Sequence, residues 1–189
     1  MRKTLLQAIL IFLLCGLSNA HADQPVDREL AQANTLFSEA RYSEALSVYQ
    51  RVLNSRTSTI PSGFTLTRIG DCQFRLADYQ SAIRAYRVAL EYQQGSDRAA
   101  TQFWIGLSTF LLRRDADAVA EFLKIPELYP ASGMWVSTAY YWAGKVCEHM
   151  GKKEQAAVYY RNAGGTGATT QGRFALKKAE TISKEARVR

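Results

Sequence analysis

The sequence predicts an all-α solenoid of about four helix–turn–helix units, finished by a C-terminal capping helix. Three residue columns predict it. Ala45, Ala82, Ala118 and Ala156 are spaced 37, 36 and 38 residues apart. An aromatic follows each four positions later, at Tyr49, Tyr86, Phe122 and Tyr160. A small residue precedes each by twelve, at Ala33, Gly70, Gly106 and Gly144. Three columns repeating in register at a period of this size are the mark of a stacked repeat. The physics of the unit follows. Two helices cross closely only where contact side chains are small, so Gly or Ala recurs on the first helix and Ala on the second. The aromatic one turn later fills the space beside that contact.

The elements follow in chain order. Residues 1–22 have a basic start (Arg2, Lys3), an apolar stretch from Leu5 to Leu17, and Ala20-His21-Ala22. That pattern predicts a cleaved secretory leader with the mature chain beginning at Asp23. The stretch holds Gln7 and is shorter than the roughly 20 residues a spanning helix needs, which argues against an anchor. Cys15 follows Leu14, where a lipoprotein signal wants a small residue. The mature 167 residues suffice for one domain with a sizeable core. Within it, EALSVY (44–49) and SAIRAY (81–86) read as the same second helix in units one and two. Residues 80–92 keep Ala82, Ile83, Tyr86 and Leu90 at helical spacing. Turns are expected at 38–43, 75–80, 113–117 and 150–154, with Gly151 marking the last.

At these residues the chain resembles the tetratricopeptide repeat family. Its pattern is a small residue on the first helix, A-x3-F on the second, and a proline near the end. Gly106, Ala118, Phe122 and Pro130 match it in register. The resemblance implies a right-handed superhelical array over 23–163. The units run 36–38 residues rather than 34, which implies longer loops between them, as at 55–62. Gln32 stands where an apolar residue is usual, and Asp115 where units one and two have Tyr42 and Tyr79. The segment 125–130, followed by STAYYWAGKVCEHMGKKEQAAVYY, is similar to the repeat portions of exported cell-envelope proteins. These include the YbgF/CpoB type, the outer-membrane assembly lipoprotein type and the superhelix of soluble lytic transglycosylases.

Residues 164–172 are glycine-rich but lack the Lys and Ser/Thr spacing of a phosphate-binding loop, so a flexible loop is expected. Residues 173–189 place Ala175, Ala179, Ile182 and Ala186 on one helical stripe, with Lys177, Lys178, Lys184 and Glu185 opposite. A repeat array needs such a terminal helix to cover its last apolar surface. Cys72 and Cys147 fall on the first helices of units two and four, too many helix steps apart for a disulfide. Two free, mostly buried thiols are expected.

Charge and chemistry narrow the function. The mature chain holds 22 Lys and Arg against 17 Asp and Glu, and four of the five excess charges lie in residues 169–189. That is not a nucleic-acid-binding face. His149 is the only histidine after the leader, and one His with two distant Cys makes none of the usual zinc sites. No catalytic residue, metal or cofactor is expected, and the chain reads as non-enzymatic. The resemblance implies instead a concave surface lined by first helices. Its groove positions map to Asn34 and Phe37 in unit one, and to Phe64, Thr67, Asp71, Phe74 and Arg75 in unit two. They map to Phe103, Leu107 and Phe110 in unit three, and to Tyr141, Lys145, Glu148 and His149 in unit four. Aromatics and Arg are common anchors of peptide recognition. The Lys/Asn clamp that holds a terminal carboxylate has no counterpart. The expected function is a periplasmic adaptor that binds a protein or peptide in a cell-envelope assembly. The alternatives are self-assembly and an accessory role at peptidoglycan. No nucleic acid or small-molecule substrate is expected, and membrane contact at most through the basic C-terminal helix.

Overall fold

The computed structural model describes residues 25–55, 62–165 and 170–187. Among them are nine helices and no strand, an all-α helical repeat. The helices are α1 (Pro25–Ser38), α2 (Tyr42–Asn54), α3 (Ser62–Arg75), α4 (Tyr79–Tyr92), α5 (Ser96–Leu111), α6 (Asp115–Leu128), α7 (Gly133–His149), α8 (Lys153–Gly165) and α9 (Thr170–Arg187). The expected leader lies outside the described residues. The chain divides into two compact units, residues 1–59 and 60–189. The first holds the pair α1 and α2, and the second holds α3 to α9.

The apolar periodicity explains each helix. In α2, Ala45, Val48, Tyr49 and Val52 are buried, one face at helical spacing. In α4 the buried set is Ala82, Ile83, Tyr86 and Ala89. Asp78 caps α4, its carboxylate accepting from the Ser81 amide at 3.1 Å. The three residue columns are buried throughout, and the small residues have a specific reason to be small. A methyl added at Gly70 would stand 2.5 Å from the Tyr86 ring. One at Gly106 would stand 2.7 Å from Phe122, and one at Gly144 would stand 2.7 Å from Tyr160. The ring lies directly on the glycine of its own unit, not beside the helix contact. Ala33, in the first unit, is likewise fully buried.

The turns within units repeat as closely as the helices do. Ala40, Ala77, Arg113 and Gly151 all have left-handed backbone, with φ of 60°, 60°, 63° and 74°. Each ends its helix with the same two bonds. The Ala40 amide donates to the Phe37 carbonyl at 3.1 Å and the Arg41 amide to Leu36 at 2.9 Å. The Ala77 amide donates to Phe74 and the Asp78 amide to Gln73 at 3.0 and 2.9 Å, and Gly151 and Lys152 repeat the pair on Glu148 and Cys147. This is the Schellman arrangement, which satisfies the last carbonyls of a helix.

Within the second unit, consecutive helices pack on one another, α5 also meets α7, and α7 meets α9. The capping helix thus packs where the first helix of another repeat would. Its Ala175, Ala179 and Ile182 are buried. Of the expected glycine-rich loop at 164–172, Gly164 and Gly165 end α8 and residues 170–172 open α9, three residues before the expected start, while 166–169 lie outside the described residues. Cys72 and Cys147 are free and buried. Burial pushes the Cys72 thiol up to about 12, with Asp71 adding to the shift.

Candidate functional site

The second unit has a cleft of about 540 Å³ between α3, the link that follows α4, and the start of α5. Its position follows from the repeat. α3 and α5 are the first helices of successive units, and the link at 93–95 carries the chain from α4 into α5. Gly63 lets that link lie close, since a methyl there would stand 3.1 Å from the Gln93 side chain and 3.2 Å from Tyr92 Cβ. Gly95, at φ 61°, turns the chain into α5.

The walls combine aromatics with polar groups. Phe64 and Tyr92 are 39 % and 58 % exposed. The Arg68 guanidinium lies 5.3 Å from the Phe64 ring centre and 3.2 Å from Asp71 Oδ2. Asp71 Oδ1 accepts from the Tyr86 hydroxyl at 2.9 Å. Burial holds the Asp71 carboxyl above its usual range, although the bonds from Tyr86 and Arg68 pull the other way. Burial, and then Asp71, pushes the Tyr86 phenol up. Thr67 donates to the Gly63 carbonyl at 2.8 Å and accepts from Gln93 Nε2 at 2.8 Å. The other end of that amide, Gln93 Oε1, is buried with no hydrogen-bond partner among the described residues.

Of the groove positions expected from sequence, the cleft brings together Phe64, Thr67 and Asp71. The others lie elsewhere. Phe103 is a correction: at 7 % exposure it belongs to the core, with ring centres 5.6 Å from Phe122, 5.4 Å from Trp135 and 6.1 Å from Trp142. Phe74 is half-buried, edge-on to Tyr79 at 5.5 Å and to Trp104 at 5.1 Å, while Arg75 beside it is exposed. Phe110 packs at 6.4 Å from Trp142 and 5.7 Å from His149. Tyr141 sits between Tyr160 and Phe174 of the capping helix, at 5.7 and 6.2 Å. Lys145 lies over Trp142, 4.3 Å from its centre. Glu148 accepts from Tyr160 and Lys178, and these bonds outweigh burial and hold its carboxyl low. His149 Nδ1 is 2.7 Å from Asp115 Oδ2, which gives the departure at Asp115 a partner in the next unit. In the first unit, Asn34 accepts from Tyr49 at 2.7 Å and Phe37 packs edge-on to Tyr42 at 5.3 Å.

Sequence reasoning missed the rest of the cleft: Gly63 and Arg68 on α3, and Tyr92, Gln93, Gln94 and Asp97 with Ala100 and Thr101 from the end of α4 into α5. The readable signal was the excess unit length. The extra residues form the link at 93–95, and that link is a wall. Among the described residues, no three His, Cys, Asp or Glu side chains come together as metal ligands. Among the same residues, no helix is long and apolar enough to cross a membrane.

Models of the tetratricopeptide repeat match residues 67–133 and 137–163. No curated protein matches the chain in sequence. Solved structures with the same fold include a tetratricopeptide repeat protein from Parabacteroides merdae, 13 % identical with a TM-score of 0.69. The match covers 86 % of this chain and 62 % of that one, so the chain spans under two thirds of its length. The Rap conjugation gene regulator of plasmid pLS20, solved with the Phr* peptide, is 18 % identical with a TM-score of 0.58, covering 86 % and 53 % of the two chains. YrrB, described as having an unusual peptide-binding site, is 19 % identical with a TM-score of 0.52, covering 89 % and 91 %. At these identities the likeness is one of fold.

Proposed function

We propose, from the premise that residues 67–133 and 137–163 are tetratricopeptide repeats, that the protein is a non-enzymatic scaffold that binds a peptide or protein segment in the cleft between α3 and α5. The observation that carries this reading is the cleft itself, where exposed aromatic rings flank polar groups that have hydrogen-bonding capacity left over. Apolar walls with a few convergent polar groups suit a bound segment, and aromatics supply binding energy at low entropic cost. Peptide binding by the Rap regulator and YrrB, proteins of the same fold, supports the assignment. The basic, apolar and small-residue succession over 1–22 supports export. The scaffold then acts in the periplasm of a Gram-negative-type bacterium, as an adaptor in a cell-envelope assembly of the YbgF/CpoB or assembly-lipoprotein type.

The test is photo-crosslinking in cells from probes at Phe64 and Tyr92, with Phe103 as the buried control. Adducts to a common heterologous protein from Phe64 and Tyr92, and none from Phe103, are expected in the periplasmic fraction. Adducts from neither exposed position would overturn the cleft assignment. Recovery of the protein only in the cytoplasm would overturn the location.

A further inference from the structure

The polar groups of the cleft specify the ligand more narrowly than its shape does, given that it binds a peptide as proposed above. The Thr67 hydroxyl has one proton, and the Gly63 carbonyl takes it. Thr67 Oγ1 can then only accept, which orients the Gln93 amide with Nε2 toward Thr67. Gln93 Oε1 is left as a buried acceptor without a donor. Asp97, in the first turn of α5, adds a carboxylate to the same wall. Asp71 is already matched by Tyr86 and Arg68. The charge of Arg68 is answered by Asp71, so among the described residues the unanswered charge of the cleft is the negative one of Asp97. Apart from the exposed Gln94 amide, which can both donate and accept, the groups of this wall that lack partners among the described residues are acceptors.

An ammonium or guanidinium group carries donors and no acceptor, and its charge complements Asp97. The aromatic wall already holds such a group, because Arg68 lies over the Phe64 ring. At about 540 Å³ the cleft admits a long side chain together with its neighbours. We infer that this cleft receives the lysine or arginine side chain of a bound peptide, its cationic end meeting Gln93 Oε1 and Asp97 and its stem lying along Phe64 and Tyr92. A ligand carboxylate at the same place would face two acceptors and be rejected.

The test uses fluorescein-labelled decamer pools with mixed apolar flanks and a fixed central residue: arginine, lysine, norleucine or glutamate. Binding to the purified chain is read by anisotropy. Arginine- and lysine-centred pools are expected to bind about tenfold more tightly than the norleucine pool, the scale of one charge-assisted hydrogen bond, with glutamate weakest. Asp97→Asn, an exposed substitution that leaves the fold intact, is expected to remove most of that advantage, and Gln93→Leu is expected to reduce it. Equal binding of the arginine, lysine and norleucine pools overturns this inference and leaves peptide binding standing. Retention of the full cationic preference by both variants overturns the assignment to these two residues. Binding by no pool overturns the inference and the peptide-binding reading together.

Discussion

A phenol hydroxyl and its acceptor change together along the repeat. Tyr49 donates to Asn34, and Tyr86 donates to Asp71 fifteen residues earlier. In the third unit the ring is Phe122, which has no hydroxyl, and the residue in register with Asn34 and Asp71 is Leu107. In the fourth unit that register holds Lys145, which cannot accept, and Tyr160 donates to Glu148 instead. A buried hydroxyl without a partner is costly, so hydroxyl and acceptor are kept or lost as a pair. Asp71 carries a further cost because its carboxyl is raised by burial. The folded state holds that proton to higher pH than the unfolded chain does. The penalty is absent below the unfolded-chain value and grows as pH rises through the folded one. Asp71→Asn, which copies Asn34 of the first unit, is expected to match wild type near pH 3 and to exceed it at pH 7, by roughly 0.5–1 kcal/mol. Urea midpoints at the two pH values check this, and an equal or lower midpoint for the variant at pH 7 would count against it. The packing columns were legible in the sequence because each is fixed by a contact inside one unit, as Gly70 is by the Tyr86 ring. The groove positions were less so. An aromatic on a first helix reads the same whether it meets solvent, as Phe64 does, or other rings, as Phe103 does.

At the scale of the element, the helix ends hold unspent stability. Ala40, Ala77 and Arg113 sit in left-handed backbone that glycine adopts without strain, as Gly151 does. Ala40→Gly, Ala77→Gly and Arg113→Gly are each expected to stabilise by about 0.5–1 kcal/mol, and Gly151→Ala to destabilise by about 1 kcal/mol. Thermal unfolding of the four variants checks the signs, and stabilisation by Gly151→Ala would contradict the account. All four turns were placed from the repeat, but only Gly151 marked the left-handed residue itself. Two alanines and an arginine carry no signal for left-handed backbone; they are exposed, and the paired backbone bonds that end each helix hold them there. The link at 93–95 was similarly hidden. Its length was readable, but not that Gln93 would turn back onto Thr67.

Across the whole molecule, the all-α repeat was legible because the same three columns recur, and the limits of α8 and α9 were not, because glycines at 164 and 165 do not stop a helix that the next one covers. The second unit gathers its largest rings around Phe103, which packs on Trp104, Trp135, Trp142 and Phe122. Phe103→Ala is expected to cost about 3–5 kcal/mol, read as a lower denaturant midpoint. A cost below about 1 kcal/mol would mean that Phe103 is not a core residue. The same cluster gives the molecule an optical asymmetry. All three tryptophans lie between residues 104 and 142, and residues 1–59 have none. Light absorbed at the red edge of the protein band is therefore emitted only from the second unit. Tryptophan emission follows that unit through denaturation, while the first is silent except through its tyrosines. Total helicity by circular dichroism counts both. Any gap between the two curves reads directly whether residues 1–59 melt with the rest of the chain or apart from it.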